Sequence, residues 1–155
     1  MSRQQLTSQQ KIYESYLPLV EVGLAAQEVE ASLKRKSVGW KAWYRPWLPA
    51  DKNARIVELG CGSGDFLLWL KRQGYDRCEG VEVSTQQLAI AQHLGLKNVS
   101  QGDLLDYLKT ISPGVSVVFL RDILEHFSHD EVFEILSGVS RILAPGGRCI
   151  IQTPN

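Results

Sequence analysis

Residues 55–66 read RIVELGCGSGDF: a short apolar run, an acid at Glu58, then glycines at 60, 62 and 64. A strand-length apolar run that passes through a glycine-rich turn into a helix-compatible stretch is how a βαβ unit opens. Glycines lack a Cβ, so they can take positive φ and let a ligand come close to the main chain before the helix from Asp65 begins. Such a loop is built to hold a nucleotide-type cofactor, and its spacing discriminates between cofactors. A dinucleotide fingerprint, G-x-G-x-x-G, that starts at Gly60 would need its last glycine at position 65, where the chain has Asp65. That carboxylate would face a pyrophosphate unfavourably, which disfavours a nicotinamide-dependent oxidoreductase. A P-loop is also set aside, because no Gly-Lys-Ser/Thr follows.

Outward from this loop, strands are expected at 55–59, 78–83, 98–101, 115–120 and 148–153. The stretches FLLWLKRQG, TQQLAIAQHLG, LLDYLKTI and DEVFEILSGVSRILAPGG fill the gaps with helical patterning, three of them stopping at Gly. Apolar strands alternating with crossover helices predict an α/β, Rossmann-like, doubly wound parallel sheet. Before it, residues 1–49 read as an N-terminal helical arm, and 50–155 as the cofactor-binding domain. In the arm, Leu19, Val22, Ala26, Val29 and Leu33 recur at helical spacing. Pro18 separates them from a shorter helix carrying Ile12, Tyr13, Tyr16 and Leu17, and Gly39 is expected to end the long helix.

Composition narrows the setting. The chain has 155 residues, 44% of them apolar, enough for one packed domain. Its 17 basic and 17 acidic residues balance, so no overall field draws it to nucleic acid or an anionic membrane. Cys61, Cys78 and Cys149 are far apart and lack C-x-x-C spacing, which argues against a disulfide framework and a structural zinc site. No apolar window reaches the length of a membrane span, and a cytoplasmic setting is expected.

ELGCGSG, at 58–64, resembles the first motif of class I S-adenosylmethionine-dependent methyltransferases, an acid followed by G-x-G-x-G. Other segments resemble that family in order. GVEVS (80–84) is similar to the segment whose acid, here Glu82, accepts both ribose hydroxyls. QGDLLDYL (101–108) is similar to the motif whose Asp, here Asp103, accepts from the adenine amino group. LRDILEHF (120–127) and LAPGGRCIIQTPN (143–155) resemble the fourth-strand loop and the turn into the fifth strand. The resemblance implies S-adenosyl-L-methionine as cofactor, held by Glu58, Gly60, Cys61, Gly62, Gly64, Phe66, Glu82, Val83, Asp103, Leu104 and Arg121. Carboxylates suit ribose and adenine because each ionised group accepts two donors, and Glu58 and Asp65 suit a cationic sulfonium. Two simpler readings stand beside these: Glu82 as a solvated strand-end charge, and Asp103 as the cap of the following helix. Cys61 contributes its backbone and small size rather than a reactive thiol.

Arg121, Asp122, Glu125 and His126 follow the fourth strand, where the methyl group would be presented. Methyl transfer from a sulfonium is an in-line displacement, so the protein must align the nucleophile, exclude water and, for a hydroxyl, remove a proton. Asp122 or His126 is the candidate base. D-x-x-E-H also resembles the E-x-x-E-H metal site of some O-methyltransferases, but Asp122 replaces its first Glu and L-E-H occurs in metal-free members, so no metal is assigned. The expected acceptor is a small molecule or a glycan, methylated on oxygen; a non-catalytic cofactor-binding or interaction module is the alternative.

Two expectations concern the ends. WKAWYRPWLP places Trp40, Trp43, Tyr44 and Trp47 on one helical face, to pack against the sheet domain or to cover the cofactor. Tyr13 and Tyr16 would close over the methionine end. The chain stops after the fifth strand whereas the resembled fold continues through a sixth and a seventh, which suggests a fragment and, through the open edge, a homodimer.

Overall fold

The apolar run forms β1 (Ile56–Leu59) with all four residues buried, because it lies in the middle of the sheet. In the computed structural model, which describes residues 22–154, β1 pairs in parallel with β2 (Cys78–Glu82) on one side and β4 (Val115–Arg121) on the other. β3 (Val99–Gln101) lies outside β2 and β5 (Leu143–Gln152) outside β4, giving the order β3-β2-β1-β4-β5. The chain therefore winds away from β1 on one side, then returns to its other side. Ligands of such sheets bind beyond the carboxyl ends of the strands at this reversal, so the mouth between the ends of β1 and β4 is where the site is to be sought.

Side chains alternate across the strands and build two cores. Ile56, Val117 and Phe119 face one layer, with Phe66 and Trp69 of α2 (Asp65–Arg72), Ala91 of α3 (Thr85–His93), and Trp40 and Tyr44 of α1 (Val22–Tyr44). Val57, Leu59, Val118 and Leu120 face the other, with Leu104 and Leu108 of α4 (Leu104–Thr110) and Ile135, Val139 and Ile142 of α5 (His129–Ile142). Local chemistry starts three of these helices. Ser84 caps α3, Asp103 caps α4, and α5 opens with a reciprocal capping box between Ser128 and Glu131.

Three expectations need correction. Gly39 does not end the arm helix: α1 runs through it to Tyr44, and the Trp43 ring lies back over Gly39, where a Cβ would stand 3.5 Å from it. Tertiary packing of Trp40 and Tyr44 outweighs the small cost of one mid-helix glycine. The four aromatics do not share a face, since Trp40 and Tyr44 are buried while Trp43 and Trp47 are 64% and 54% exposed. Pro46 is the reason for Trp47: it starts a separate short turn, Arg45–Trp47, and breaks the helical phase. Finally, α5 stops at Ile142 and β5 begins at Leu143, before the glycine pair, with an irregular register between Val115 and Val117. The shorter helix with Ile12, Tyr13, Tyr16 and Leu17, as well as Leu19, lies outside the described residues.

Candidate functional site

The glycine loop needs its glycines for two different reasons. Gly60, Gly62 and Gly64 take φ of +71°, +54° and +76°, the left-handed region that costs other residues about 1–2 kcal/mol. A Cβ on Gly60 would stand 2.7 Å from Ile123 Cδ1, and one on Gly64 2.3 Å from Leu96 Cδ1. On Gly62 it would meet nothing nearer than Gln87 Oε1 at 4.0 Å. Gly60 and Gly64 are thus demanded by packing, while the open side of Gly62 is the side a ligand can approach. Cys61 turns inward: its Sγ would touch a Cβ on Gly80 at 2.7 Å, and burial pushes its thiol well above the ordinary range.

Glu82, at the end of β2, is 4% exposed and faces this loop. Its Oε2 accepts the Gly62 N–H at 2.8 Å and its Oε1 the Ser84 N–H at 2.8 Å. Burial raises its pKa, while the N–H groups of Ser84, Gly62 and Val83 work in the opposite direction. Glu82 is therefore not a solvated strand-end charge; the main chain fixes it in place. Val83 contributes through its backbone. Asp103 does cap α4: Oδ1 accepts the Leu105 and Asp106 N–H groups at 2.8 and 3.2 Å, so both cap bonds fall on one oxygen. The side chain of Leu104 is spent on the second core.

Glu58 and Arg121 meet across the β1–β4 boundary. Arg121 donates through one terminal nitrogen to Glu58 Oε1 at 3.0 Å, with 12% and 3% of the two side chains exposed. Burial pushes Glu58 up to about 8 in spite of the guanidinium beside it. The guanidinium lies 4.3 Å from the centroid of the Phe66 ring and 4.8 Å from that of Trp40. Phe66 itself is fully buried against Trp40, Tyr44, Trp69 and Phe119, so its ring belongs to the core. Asp65, the first residue of α2, pairs with Lys36 of the arm at 2.6 Å. Both carboxylates that the sequence offered to a sulfonium thus already have a cation from the chain.

The next residue, Asp122, is the one non-glycine among the described residues with positive φ, +50°. Such a conformation persists only where the surroundings over-determine it. Here Gln152 of β5 does so: its carbonyl accepts the Asp122 N–H at 2.8 Å, and its side-chain amide donates to both carboxylate oxygens at 3.2 and 3.0 Å. The other end of that amide accepts from the Tyr44 hydroxyl. His126 lies in the short turn Leu124–His126, with its N–H on the Ile123 carbonyl at 3.1 Å. Among the described residues no group of three or more His, Cys, Asp or Glu is placed to hold a metal ion. Sequence reasoning missed Gln152, and Lys36 as the partner of Asp65, and named Tyr44 only within the aromatic stripe that would pack on the sheet domain or cover the cofactor. Positions 36, 40 and 44 are spaced i, i+4, i+8 on one face of α1, a signal that reading only the aromatic residues hid.

Known proteins match this sequence and its fold. Residues 34–155 match the model of the methyltransferase domain family. The ajmaline N-methyltransferase of Rauvolfia serpentina is 28% identical over an alignment of 109 residues that covers 66% of this chain and 37% of that enzyme. A solved S-adenosylmethionine-dependent methyltransferase from Archaeoglobus fulgidus is 28% identical with a TM-score of 0.64, covering 74% of this chain and 52% of that one. The DhpI–SAH complex, 23% identical with a TM-score of 0.66, shares the fold over 96% of this chain and 69% of its own. The chain thus spans just over a third of the plant enzyme and about half of the archaeal one. With the strand order, the glycine loop and the match over residues 34–155 in agreement, the chain belongs to the methyltransferase domain family, within the class I S-adenosylmethionine-dependent superfamily.

Proposed function

We propose that this chain binds S-adenosylmethionine over the ends of β1, β2 and β4 and methylates an oxygen of a small molecule or glycan. The observation that carries the reading is the bond from the Gly62 N–H to Glu82 Oε2, which holds a buried carboxylate against the open side of the loop. Each Glu82 oxygen accepts a main-chain N–H at 2.8 Å, and since a carboxylate oxygen can accept more than one donor the pair suits the two hydroxyls of a ribose. Asp103 Oδ2, outside the cap, suits the adenine amino group. The main chain of Gly60, Cys61, Gly62 and Gly64 lines the approach, and Glu58 and Arg121 form the floor beneath the end of β1. The bound cofactor supplies an electrophilic methyl carbon. At the mouth, Asp122 or His126 takes the proton of the acceptor hydroxyl and holds the oxygen in line, which is most of what the reaction asks of the protein.

A nitrogen acceptor is the second reading, favoured by the plant relative, which by its name methylates nitrogen. An amine would need no strong base. Calorimetry with S-adenosylhomocysteine against NAD tests the cofactor, with binding of the first alone expected. Glu82→Ala should weaken that binding at least tenfold, and unchanged affinity would remove the ribose assignment. Label transfer from methyl-labelled S-adenosylmethionine to a panel of phenols, sugars and amines tests the acceptor atom; binding without transfer to any of them would favour a non-catalytic module.

A further inference from the structure

Three positions of α1, one turn apart, reach the mouth in sequence. Lys36 pairs with Asp65 at the start of α2. Trp40 lies over the Arg121 guanidinium. Tyr44 packs edge-on against Phe66 at 5.1 Å and donates to Gln152, the residue that holds Asp122. Arg121 is the hub of this contact. Glu58 Oε2 and Arg121 Nε are buried without a partner among the described residues, so the pair is not a bidentate, self-sufficient salt bridge. A hydrogen bond to Glu58, a side-chain hydrogen bond with the Tyr44 hydroxyl, and the rings of Trp40, Tyr44 and Phe66 hold the guanidinium. A planar cation on aromatic faces gains most when desolvated, as it is here.

We infer that Trp40 and Tyr44 are positioning residues of the cofactor site, acting through Arg121 on Glu58, two residues before the glycine loop. This rests on the mouth being the S-adenosylmethionine site. Trp40, 4% exposed, acts through the guanidinium. When its ring is lost the guanidinium is free to leave Glu58, and a buried acid beneath the loop must then find water or another donor, which shifts the loop.

The test is calorimetry of the full chain with S-adenosylhomocysteine, alongside thermal melts. Trp40→Leu and Arg121→Met should each weaken binding at least tenfold, and the double variant should be no worse than the weaker single, because both break one hub. Arg121→Lys, which keeps the charge and loses the planar stack, should recover only part of the affinity. Trp43→Leu, on the exposed face of the same helix, should bind as the wild type does. A merely structural role would lower the melting temperature without this non-additivity. A folded Trp40→Leu chain with wild-type affinity, or losses that multiply in the double variant, would overturn the inference. If Trp40→Leu does not fold, Tyr44→Phe with Arg121→Lys completes the same cycle. A wild-type chain that fails to bind S-adenosylhomocysteine refutes the cofactor reading and this inference together, whereas wild-type binding with unaffected variants refutes this inference alone.

Discussion

Replacing Gly62 by alanine separates what the loop does for folding from what it does for a ligand. At φ +54° the left-handed conformation costs about 1–2 kcal/mol for a residue with a Cβ, and no overlap adds to it, since the nearest atom would be Gln87 Oε1 at 4.0 Å. Gly95 is a matched control, with φ +80° and nothing within 4 Å of an added Cβ. Gly62→Ala and Gly95→Ala should therefore lose similar stability, a fall in melting temperature of roughly 2–8 °C at 2–4 °C per kcal/mol for a chain of this size. Gly64→Ala has the same backbone cost, and its Cβ also meets Leu96 Cδ1 at 2.3 Å and Ala91 Cβ at 3.3 Å. Overpacking of that kind adds about 1–3 kcal/mol, so this variant should be the least stable of the three. Thermal melts give the order of stability, and calorimetry with S-adenosylhomocysteine gives the second axis. Gly62→Ala should lose binding by more than tenfold while Gly95→Ala keeps it. Equal affinity in those two variants would show that no ligand approaches the open side of Gly62, and Gly64→Ala as stable as Gly95→Ala would refute the packing argument.

Stability should depend on pH through the buried acids. Glu58 is raised from 4.5 to about 8 and Glu82 is raised too, so the folded chain holds these protons more tightly than the unfolded chain. That contribution is present at low pH and lost as pH rises from about 4.5 to about 8, at up to about 1.4 kcal/mol per pH unit per proton. Melting temperatures between pH 5 and 8 should fall, and Glu58→Gln should flatten the slope; an unchanged slope would mean that Glu58 titrates normally. For Asp103, a cap and an adenine ligand predict different variants. Asp103→Ala should cost about 1 kcal/mol of stability, which Asp103→Ser should largely restore because serine also caps helices well. The shorter serine should still bind S-adenosylhomocysteine weakly, and wild-type affinity in that variant would leave Asp103 a cap alone.

What the sequence made legible follows its local signals. The period of the strands, the glycine spacing and the stop signals of α2 and α3 are set by neighbours within a few residues, and β1 to β4 form close to where they predict, whereas β5 begins at Leu143 rather than at Arg148. Gly39 and the aromatic face misled because a helix boundary is settled by what the helix packs on: Trp40 and Tyr44 meet Phe66 and Arg121, far along the chain. Gln152 was invisible as a partner of Asp122 for the same reason. The pairing needs the β4–β5 register that sets Arg121 beside Gln152, and no local pattern encodes that register.

Five acids of the mouth share one property that bears on how the site works. Glu58 is held by Arg121, Asp65 by Lys36, Glu82 by two main-chain N–H groups, Asp103 by the start of α4, and Asp122 by Gln152. Each carboxylate is fixed by the protein before any ligand arrives. A ligand then meets oxygens whose rotamers are already set, and the entropy of ordering them is not charged to binding. The same arrangement limits charge attraction: with Glu58 and Asp65 each beside a cation of the chain, a sulfonium gains little from either. Recognition should therefore rest on hydrogen bonds to Glu82 and Asp103, which S-adenosylmethionine and S-adenosylhomocysteine make equally. The two should bind within a few-fold of each other and with little dependence on salt. A preference of a hundredfold for the cation, or one that collapses between 50 and 500 mM salt, would show that the acids act on the ligand as charges and that their partners in the chain do not screen them.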